Sequence, residues 1–132
     1  MPATELLHTM VRILDEQRSL AFYRALGFEE RGRKRVGGDT ATVIFLGLPG
    51  DGDRLELTLN DGRTEPYDVG TGYGHIALAI ASLDEELARL AGYDIHPEKP
   101  PYSSRPGGSR ICFVKDPDGY RIEMIETGSR TA

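Results

Sequence analysis

The chain has 132 residues, with 16 basic and 21 acidic side chains and a formal net charge of −5 at pH 7. This length suits one domain, and the acidic balance argues against broad, non-specific binding to nucleic acid. The longest apolar run, Ile76 to Ala81, is too short to span a bilayer, and the first residues lack the pattern of a signal peptide. The single cysteine, Cys112, excludes an internal disulfide. We therefore expect a cytoplasmic protein of one domain, 1–132, that binds neither nucleic acid nor membrane.

The first half of the chain predicts a strand, a helix and further strands. The strand is "LLHTMVRI", which begins at Leu6, and the helix is "DEQRSLAFYRALGF", which begins at Asp15. The apolar residues of this segment recur at the spacing of an α-helix, and Gly27 predicts the end of the helix. The runs "TATVIFLGL" and "DRLELTL" follow as strands, separated by the turn residues "PGDGD".

The second half repeats this order. The run "YGHIALAI" predicts a strand, and "SLDEELARLAGY" predicts a helix with a capping box formed by Ser82 and Glu85 and a stop at Gly92. The runs "SRICFV" and "YRIEMIE" then predict two strands, with the turn "KDPDGY" between them.

An internal repeat relates the two halves. His8 aligns with His75 and Glu56 aligns with Glu123, in both cases at an offset of 67 residues. We therefore predict an α+β fold of two tandem βαβββ modules, forming a curved, mostly antiparallel sheet with the helices outside. Module one covers about 5–60, a linker covers 61–71, and module two covers about 72–127.

The repeated histidine and glutamate indicate a metal site. Because side chains alternate along a strand, Glu56 and Glu123 are turned away from their apolar neighbours, and an ionised carboxylate inside a curved sheet needs compensation. Two imidazole nitrogens and two carboxylates could converge on one divalent cation, such as Ni²⁺, Co²⁺, Zn²⁺, Fe²⁺ or Mn²⁺. The alternative is that each glutamate pairs with the nearby arginine, Arg54 or Arg121, on an exposed face.

These motifs resemble glyoxalase I (lactoylglutathione lyase) of the vicinal oxygen chelate superfamily, over nearly the whole chain. The segments that carry the resemblance are "LLHTMVRILDEQRSLAFY", "LELTLN", "YDVGTGYGHIALAI" and "FVKDPDGYRIEMIE". The resemblance implies that the metal ligands are His8, Glu56, His75 and Glu123. The compact chain is similar to the bacterial nickel- or cobalt-activated class, so we expect Ni²⁺ or Co²⁺ rather than Zn²⁺.

The resemblance also implies an isomerase that converts the hemithioacetal of methylglyoxal and glutathione to S-D-lactoylglutathione. Glu123 would be the catalytic base at C1 of the substrate, Glu56 would assist on the other face, and the metal would stabilise a cis-enediolate. The family further implies a homodimer with shared active sites, in which His8 and Glu56 of one subunit meet the partner subunit's His75 and the partner subunit's Glu123. From the sequence, a site within one chain stays equally open.

For the thiol, the resemblance points to Arg12 and Asn60 as ligands of the γ-glutamyl end, since an arginine fork suits a carboxylate. Arg12 could equally be a surface charge at the strand edge. In the loop "PYSSRPGGSR", Arg105 is the candidate for the glycyl carboxylate and Arg110 is the alternative. Thr71 stands where animal-type enzymes have an arginine, so another low-molecular-weight thiol stays open.

Two other functions stay open. The first is another metal-dependent enzyme of the same fold, namely an epimerase, a thiol transferase or an extradiol dioxygenase. Dioxygenases use two histidines and one glutamate, so Glu56 argues against that reaction. The second is a drug-sequestering binding protein without catalysis, but such proteins usually lack the metal ligands. The fold alone does not decide between these functions, whereas the four ligands favour the isomerase.

Overall fold

The computed structural model describes residues 1–128, in which two compact units divide the chain between Asp68 and Val69. In chain order the elements are β1 (Thr9–Ile13), α1 (Glu16–Ala25), β2 (Glu29–Val36), β3 (Ala41–Gly47), β4 (Leu55–Asn60), β5 (Ile76–Ile80), α2 (Leu83–Ala91), β6 (Tyr102–Ser103), β7 (Arg110–Lys115) and β8 (Arg121–Glu126). Each unit therefore has the order βαβββ, which confirms the α+β class predicted from the repeat. The single-domain assignment and the module bounds stay predictions.

Each unit contains one mixed four-stranded sheet. The strand orders are β1-β4-β3-β2 in unit 1 and β5-β8-β7-β6 in unit 2. The pairs β1–β4 and β5–β8 are parallel, and the other pairs are antiparallel. Hydrogen bonds thus join the strands into two sheets, whereas we had predicted one curved sheet. The reason is that the first strand of each unit pairs with the last strand of the same unit.

A side chain caps the start of each helix, and the cap at Ser82 was predicted from the sequence. The Asp15 carboxylate accepts a hydrogen bond from the Arg18 amide at 2.9 Å, and the Ser82 hydroxyl accepts one from the Glu85 amide at 3.3 Å. These bonds satisfy backbone donors that the first helical turn leaves without partners. After α1, Gly27 has a φ of 111°, a backbone conformation that favours glycine, and the chain then turns into β2.

The core of each unit lies on one face of its sheet. Leu57 on β4 and Met124 on β8 are fully buried there. Cys112 on β7 is also fully buried, and this burial raises the pKa of its thiol. In unit 2 the first turn of α2 lies over the same face, because the Leu83 amide donates a hydrogen bond to the Glu126 carboxylate at 2.9 Å. The opposite face of each sheet is left for the side chains of the candidate site.

The edge strands β2 and β6 were not placed from the sequence. The β2 sequence "EERGRKRV" is mostly charged, so it lacks an apolar alternation. Its arginines are held by carboxylates, since Arg33 contacts Glu30 at 2.9 Å and Arg35 contacts Asp39 at 2.7 Å. Charged side chains on an edge strand discourage pairing with another chain.

Between residues 1 and 128, neither helix is both long enough and apolar enough to cross a membrane.

Candidate metal centre

His8 and Glu56 form a close pair in unit 1. His8 lies directly before β1, and Met10, two residues later, is the register partner of Glu56 on β4. Residues two apart in an extended chain face the same side, so His8 is turned toward Glu56. The His8 Nε2 lies 2.7 Å from Glu56 Oε2, and the two side chains are 38% and 13% exposed. The carboxylate is therefore mostly covered while the imidazole remains accessible.

His75 and Glu123 repeat this arrangement in unit 2. His75 lies directly before β5, and Ala77 is the register partner of Glu123 on β8. The His75 Nε2 lies 3.0 Å from Glu123 Oε1, and the side chains are 39% and 15% exposed. The equal spacing of the two pairs in the sequence therefore follows from the same register between the parallel strands of each unit.

The arginine alternative for the two glutamates is wrong. Arg54 contacts Asp51 at 2.9 Å, and Arg121 contacts Glu98 at 3.0 Å. Each arginine is thus held by another carboxylate, and the glutamate two residues later contacts the histidine instead.

The donor set suits a divalent cation. Each pair offers one imidazole nitrogen and the oxygens of one carboxylate, and these are ligands for Ni²⁺, Co²⁺ and Zn²⁺. Within unit 1, and within unit 2 as far as residue 128, no third histidine, cysteine, aspartate or glutamate joins the pair to complete a metal-binding group. Each pair alone is therefore half of the predicted ligand set.

The predicted ligands of the γ-glutamyl end lie on the face that carries Glu56. Arg12 on β1 is exposed and is the register partner of Thr58, and Asn60 ends β4. Alternation puts these side chains on the same face as the carboxylate of Glu56. The Asn60 Oδ1 accepts a hydrogen bond from the Tyr67 hydroxyl at 3.2 Å, which orients the amide. The role of both residues in binding stays a prediction.

The two candidates for the glycyl carboxylate differ in their surroundings. Arg105 lies in the exposed loop between β6 and β7. Arg110 contacts Asp84 at 3.2 Å and Glu126 at 3.7 Å, on the face of the sheet where α2 begins. That face is opposite to the face that carries Glu123, and the role of either arginine in binding stays a prediction.

Two phenylalanines beside the glutamates were missed in the sequence. Phe45 on β3 is the register partner of Glu56, and Phe113 on β7 is the register partner of Glu123. The Phe113 and His75 rings meet edge to face, with centroids 5.3 Å apart. The repeat could have identified both residues, because "IFL" in one half and "CFV" in the other each lie in the strand before the repeated glutamate.

A cavity of about 330 Å³ opens beside His8 in unit 1, and its walls include Leu7, Phe45 and Arg54. The carboxylates of Glu5 and Asp53 also line it, so charges of both signs surround the imidazole.

The chain belongs to the Glyoxalase/Bleomycin resistance protein/Dioxygenase superfamily, whose family model matches residues 5–124. Within that superfamily it is similar to the lactoylglutathione lyase of Salmonella typhimurium, with 40% identity over 126 residues, 92% of this chain and 91% of the relative.

Among solved structures, the chain is similar to the trypanothione-dependent glyoxalase I of Leishmania major, with 36% identity and a TM-score of 0.76. That alignment covers 94% of this chain and 87% of the other. It is also similar to glyoxalase I from Zea mays, with 29% identity, a TM-score of 0.83 and 94% of this chain covered. The chain spans 45% of the length of the Zea mays protein.

Proposed function

We propose that this protein is a lactoylglutathione lyase, a metal-dependent isomerase of the hemithioacetal formed from methylglyoxal and glutathione. The observation that carries the proposal is the recurrence of one His–Glu pair at the same strand register in both units. The lactoylglutathione lyase of Salmonella typhimurium, at 40% identity, supports the same activity. The extradiol dioxygenase alternative is disfavoured because Glu56 supplies a second carboxylate to the donor set.

His8, Glu56, His75 and Glu123 would hold the cation, with Ni²⁺ or Co²⁺ preferred to Zn²⁺. When bound, the cation supplies Lewis-acid stabilisation of negative charge on the substrate oxygens. The two imidazoles bind a cation in the neutral form, so protonation competes with cation binding.

Glu123 is the base of the proposed reaction. Its carboxylate takes the proton from C1 of the hemithioacetal and returns it to the neighbouring carbon, C2. The hydroxyl proton on the C1 oxygen passes to the C2 oxygen, so C1 becomes the thioester carbonyl and C2 carries the hydroxyl of D-lactate. The reaction neither gains nor loses atoms, and no oxidant is needed. The burial that leaves this carboxylate 15% exposed limits competition from water for the proton. Glu56, with 13% exposure, assists on the other face of the substrate.

The thiol is held through its carboxylates. Arg12 and Asn60 bind the γ-glutamyl end, and Arg105 binds the glycyl carboxylate, because arginine pairs with carboxylates through two parallel hydrogen bonds. We propose glutathione as the thiol. A relative from Leishmania major is trypanothione-dependent, so the assay must also include a second thiol.

The active protein is a homodimer with shared sites. His8 and Glu56 of one subunit act with the partner subunit's His75 and the partner subunit's Glu123. Large apolar side chains beside His8 support an interface here, since Leu6 is 72% exposed, Leu7 is 66% exposed and Met10 is 37% exposed. A cytoplasmic location is part of the same proposal, supported by the single cysteine.

The test is thioester formation from methylglyoxal with glutathione or with trypanothione, followed by ultraviolet absorbance. We expect fast turnover with glutathione and slower turnover with trypanothione. The matched control is His96→Gln, because His96 is exposed and contacts Asp94, and it should retain full activity. The absence of turnover with both thiols, in protein loaded with each of the three metals, would contradict the proposed function.

A further inference from the structure

Phe113 in unit 2 is in contact with charged and aromatic groups on more than one side. The Arg121 guanidinium carbon lies 3.9 Å from the centroid of the phenyl ring. The His75 ring approaches the same phenyl edge to face, with a centroid distance of 5.3 Å and an interplanar angle of 72°. The phenyl ring therefore links a cation to the imidazole that faces Glu123.

Glu98 is hydrogen-bonded both to the Arg121 guanidinium and to the backbone of β7. Its carboxylate oxygens accept hydrogen bonds from Nε and Nη2 of Arg121, each at 3.0 Å. Its backbone amide donates to the carbonyl of Phe113 at 2.8 Å. This closed set of contacts leaves the guanidinium little freedom to leave the phenyl face, because a bidentate pair restricts both distance and angle.

An imidazole needs such support because the torsion that rotates its ring has a broad energy well. The close contact between His75 Nε2 and Glu123 Oε1 restrains one atom of the ring, and the edge-to-face contact with Phe113 restricts the plane of the ring. Groups that orient a metal ligand without touching the metal commonly affect metal affinity or catalytic activity.

Unit 1 has a looser version of the same arrangement. There the cation over Phe45 is Lys34, whose Nζ lies 5.6 Å from the ring centroid. A lysine ammonium lacks the planar fork of arginine and stacks less closely on an aromatic face. The two half-sites therefore differ in how firmly their aromatic neighbour is held.

We propose that Glu98, Arg121 and Phe113 are positioning residues that set the orientation of the His75 imidazole toward Glu123. The consequence for turnover rests on the proposed function, whereas the orientation of the ring does not. Loss of any one contact lets the imidazole rotate, so that the carboxylate and Nε2 spend less time in the arrangement used for catalysis.

The first experiment records the imidazole signals of metal-free protein by nuclear magnetic resonance, in the variants Phe113→Leu and Glu98→Gln. The matched control is Glu30→Gln, since Glu30 also receives two hydrogen bonds from one arginine, Arg33, but in unit 1. We expect the His75 ring signals to shift in both test variants and to stay in place in the control. Unchanged His75 signals in the two test variants would overturn the proposal, as would an equal shift of the His8 signals.

The second experiment measures kinetics at saturating metal. For Glu98→Gln we expect kcat to fall about tenfold, while KM stays within about twofold because Glu98 acts through its neighbours. Glu30→Gln should match the unsubstituted protein. An unchanged kcat in Glu98→Gln overturns the catalytic consequence. If the unsubstituted protein is inactive, the proposed function is rejected. The shifts of the His75 resonances then still test the positioning role. If Phe113→Leu does not fold, Arg121→Met replaces it and carries the same expectation.

Discussion

The guanidinium of Arg54 donates a hydrogen bond to the carbonyl of Leu6 at 2.7 Å. At the corresponding positions of unit 2 the direction is reversed, because the hydroxyl of Tyr73 donates to the carbonyl of Arg121 at 3.3 Å. Both bonds tie the segment just before the histidine to the start of the strand that carries the glutamate. The repeat thus preserves the connection while different side chains make it.

Substitution of Arg54 by methionine should weaken Ni²⁺ binding by about tenfold, a size typical of groups that orient ligands. The reason is that the segment before His8 loses a tether, while the Thr9 amide still donates to the backbone carbonyl of residue 54 and keeps the strand register. Titration calorimetry on metal-free protein measures the change. Arg33→Met is the control, since Arg33 pairs with Glu16 and Glu30 instead. Equal affinities in the two variants would contradict the expectation.

Glu123→Gln should keep the fold and much of the metal affinity but lose turnover by about 10²- to 10⁴-fold, the range that a positioned general base supplies. The control is Glu126→Gln on the same strand, where the side chain faces α2 and accepts a hydrogen bond from the Leu83 amide. Steady-state kinetics and circular dichroism measure the two effects. Near-normal turnover in the Glu123 variant would reject this residue as the base.

Chelation of the metal should abolish turnover, and added Ni²⁺ or Co²⁺ should restore it better than Zn²⁺. The imidazoles and carboxylates of the two pairs can bind all three cations, so the donor set does not distinguish them. The turnover rates with each metal therefore identify the metal class. Reactivation is measured after dialysis against each metal separately. His75→Gln should fail to recover under the same treatment, and full activity of the metal-free protein would show that the reaction needs no cation.

Leu57→Ala should lower the free energy of unfolding by about 2 to 5 kcal/mol, because a buried leucine leaves a cavity when it is truncated. Leu57 is fully buried and is the register partner of Ile44, which is also fully buried. Urea denaturation measures the loss. Tyr93→Ala is the control, since Tyr93 is 61% exposed and its truncation should change stability by less than about 0.5 kcal/mol. A loss for Leu57→Ala as small as that for Tyr93→Ala would contradict the expectation.

Glu98 should contribute to stability only above its own titration range. Its hydrogen bond with Arg121 lowers the pKa of the carboxyl below the usual 4.5. A lowered folded-state pKa stabilises the protein above the unfolded value, and this contribution disappears as the pH falls through the folded value. The Tm of the unsubstituted protein should therefore exceed that of Glu98→Gln near neutral pH and converge with it in acid. The gap should be small, because solvent screens a partly exposed pair. A difference in Tm that widens in acid would show that the ionised carboxylate of Glu98 does not stabilise the folded protein.

Local patterns made much of the site predictable. The helix caps at Asp15 and Ser82 depend on residues within one turn, and the alternation around Glu56 and Glu123 depends on residues next in sequence. The pairing of β1 with β4 was not predictable in this way. A parallel register joins residues that are far apart in the chain, and no short pattern specifies it.

The sequence by itself determined the repeat, the order of the elements other than the edge strands β2 and β6, and the four candidate ligands, because periodicity, capping and equal spacing are properties of the linear chain. Only the tertiary structure decided which groups those ligands meet. It assigned Arg121 to Glu98 rather than to Glu123, and it brought Phe113 beside His75. The physical reason is that ion pairs and ring contacts depend on distances of a few ångströms between strands and loops, which residue spacing along the chain does not encode.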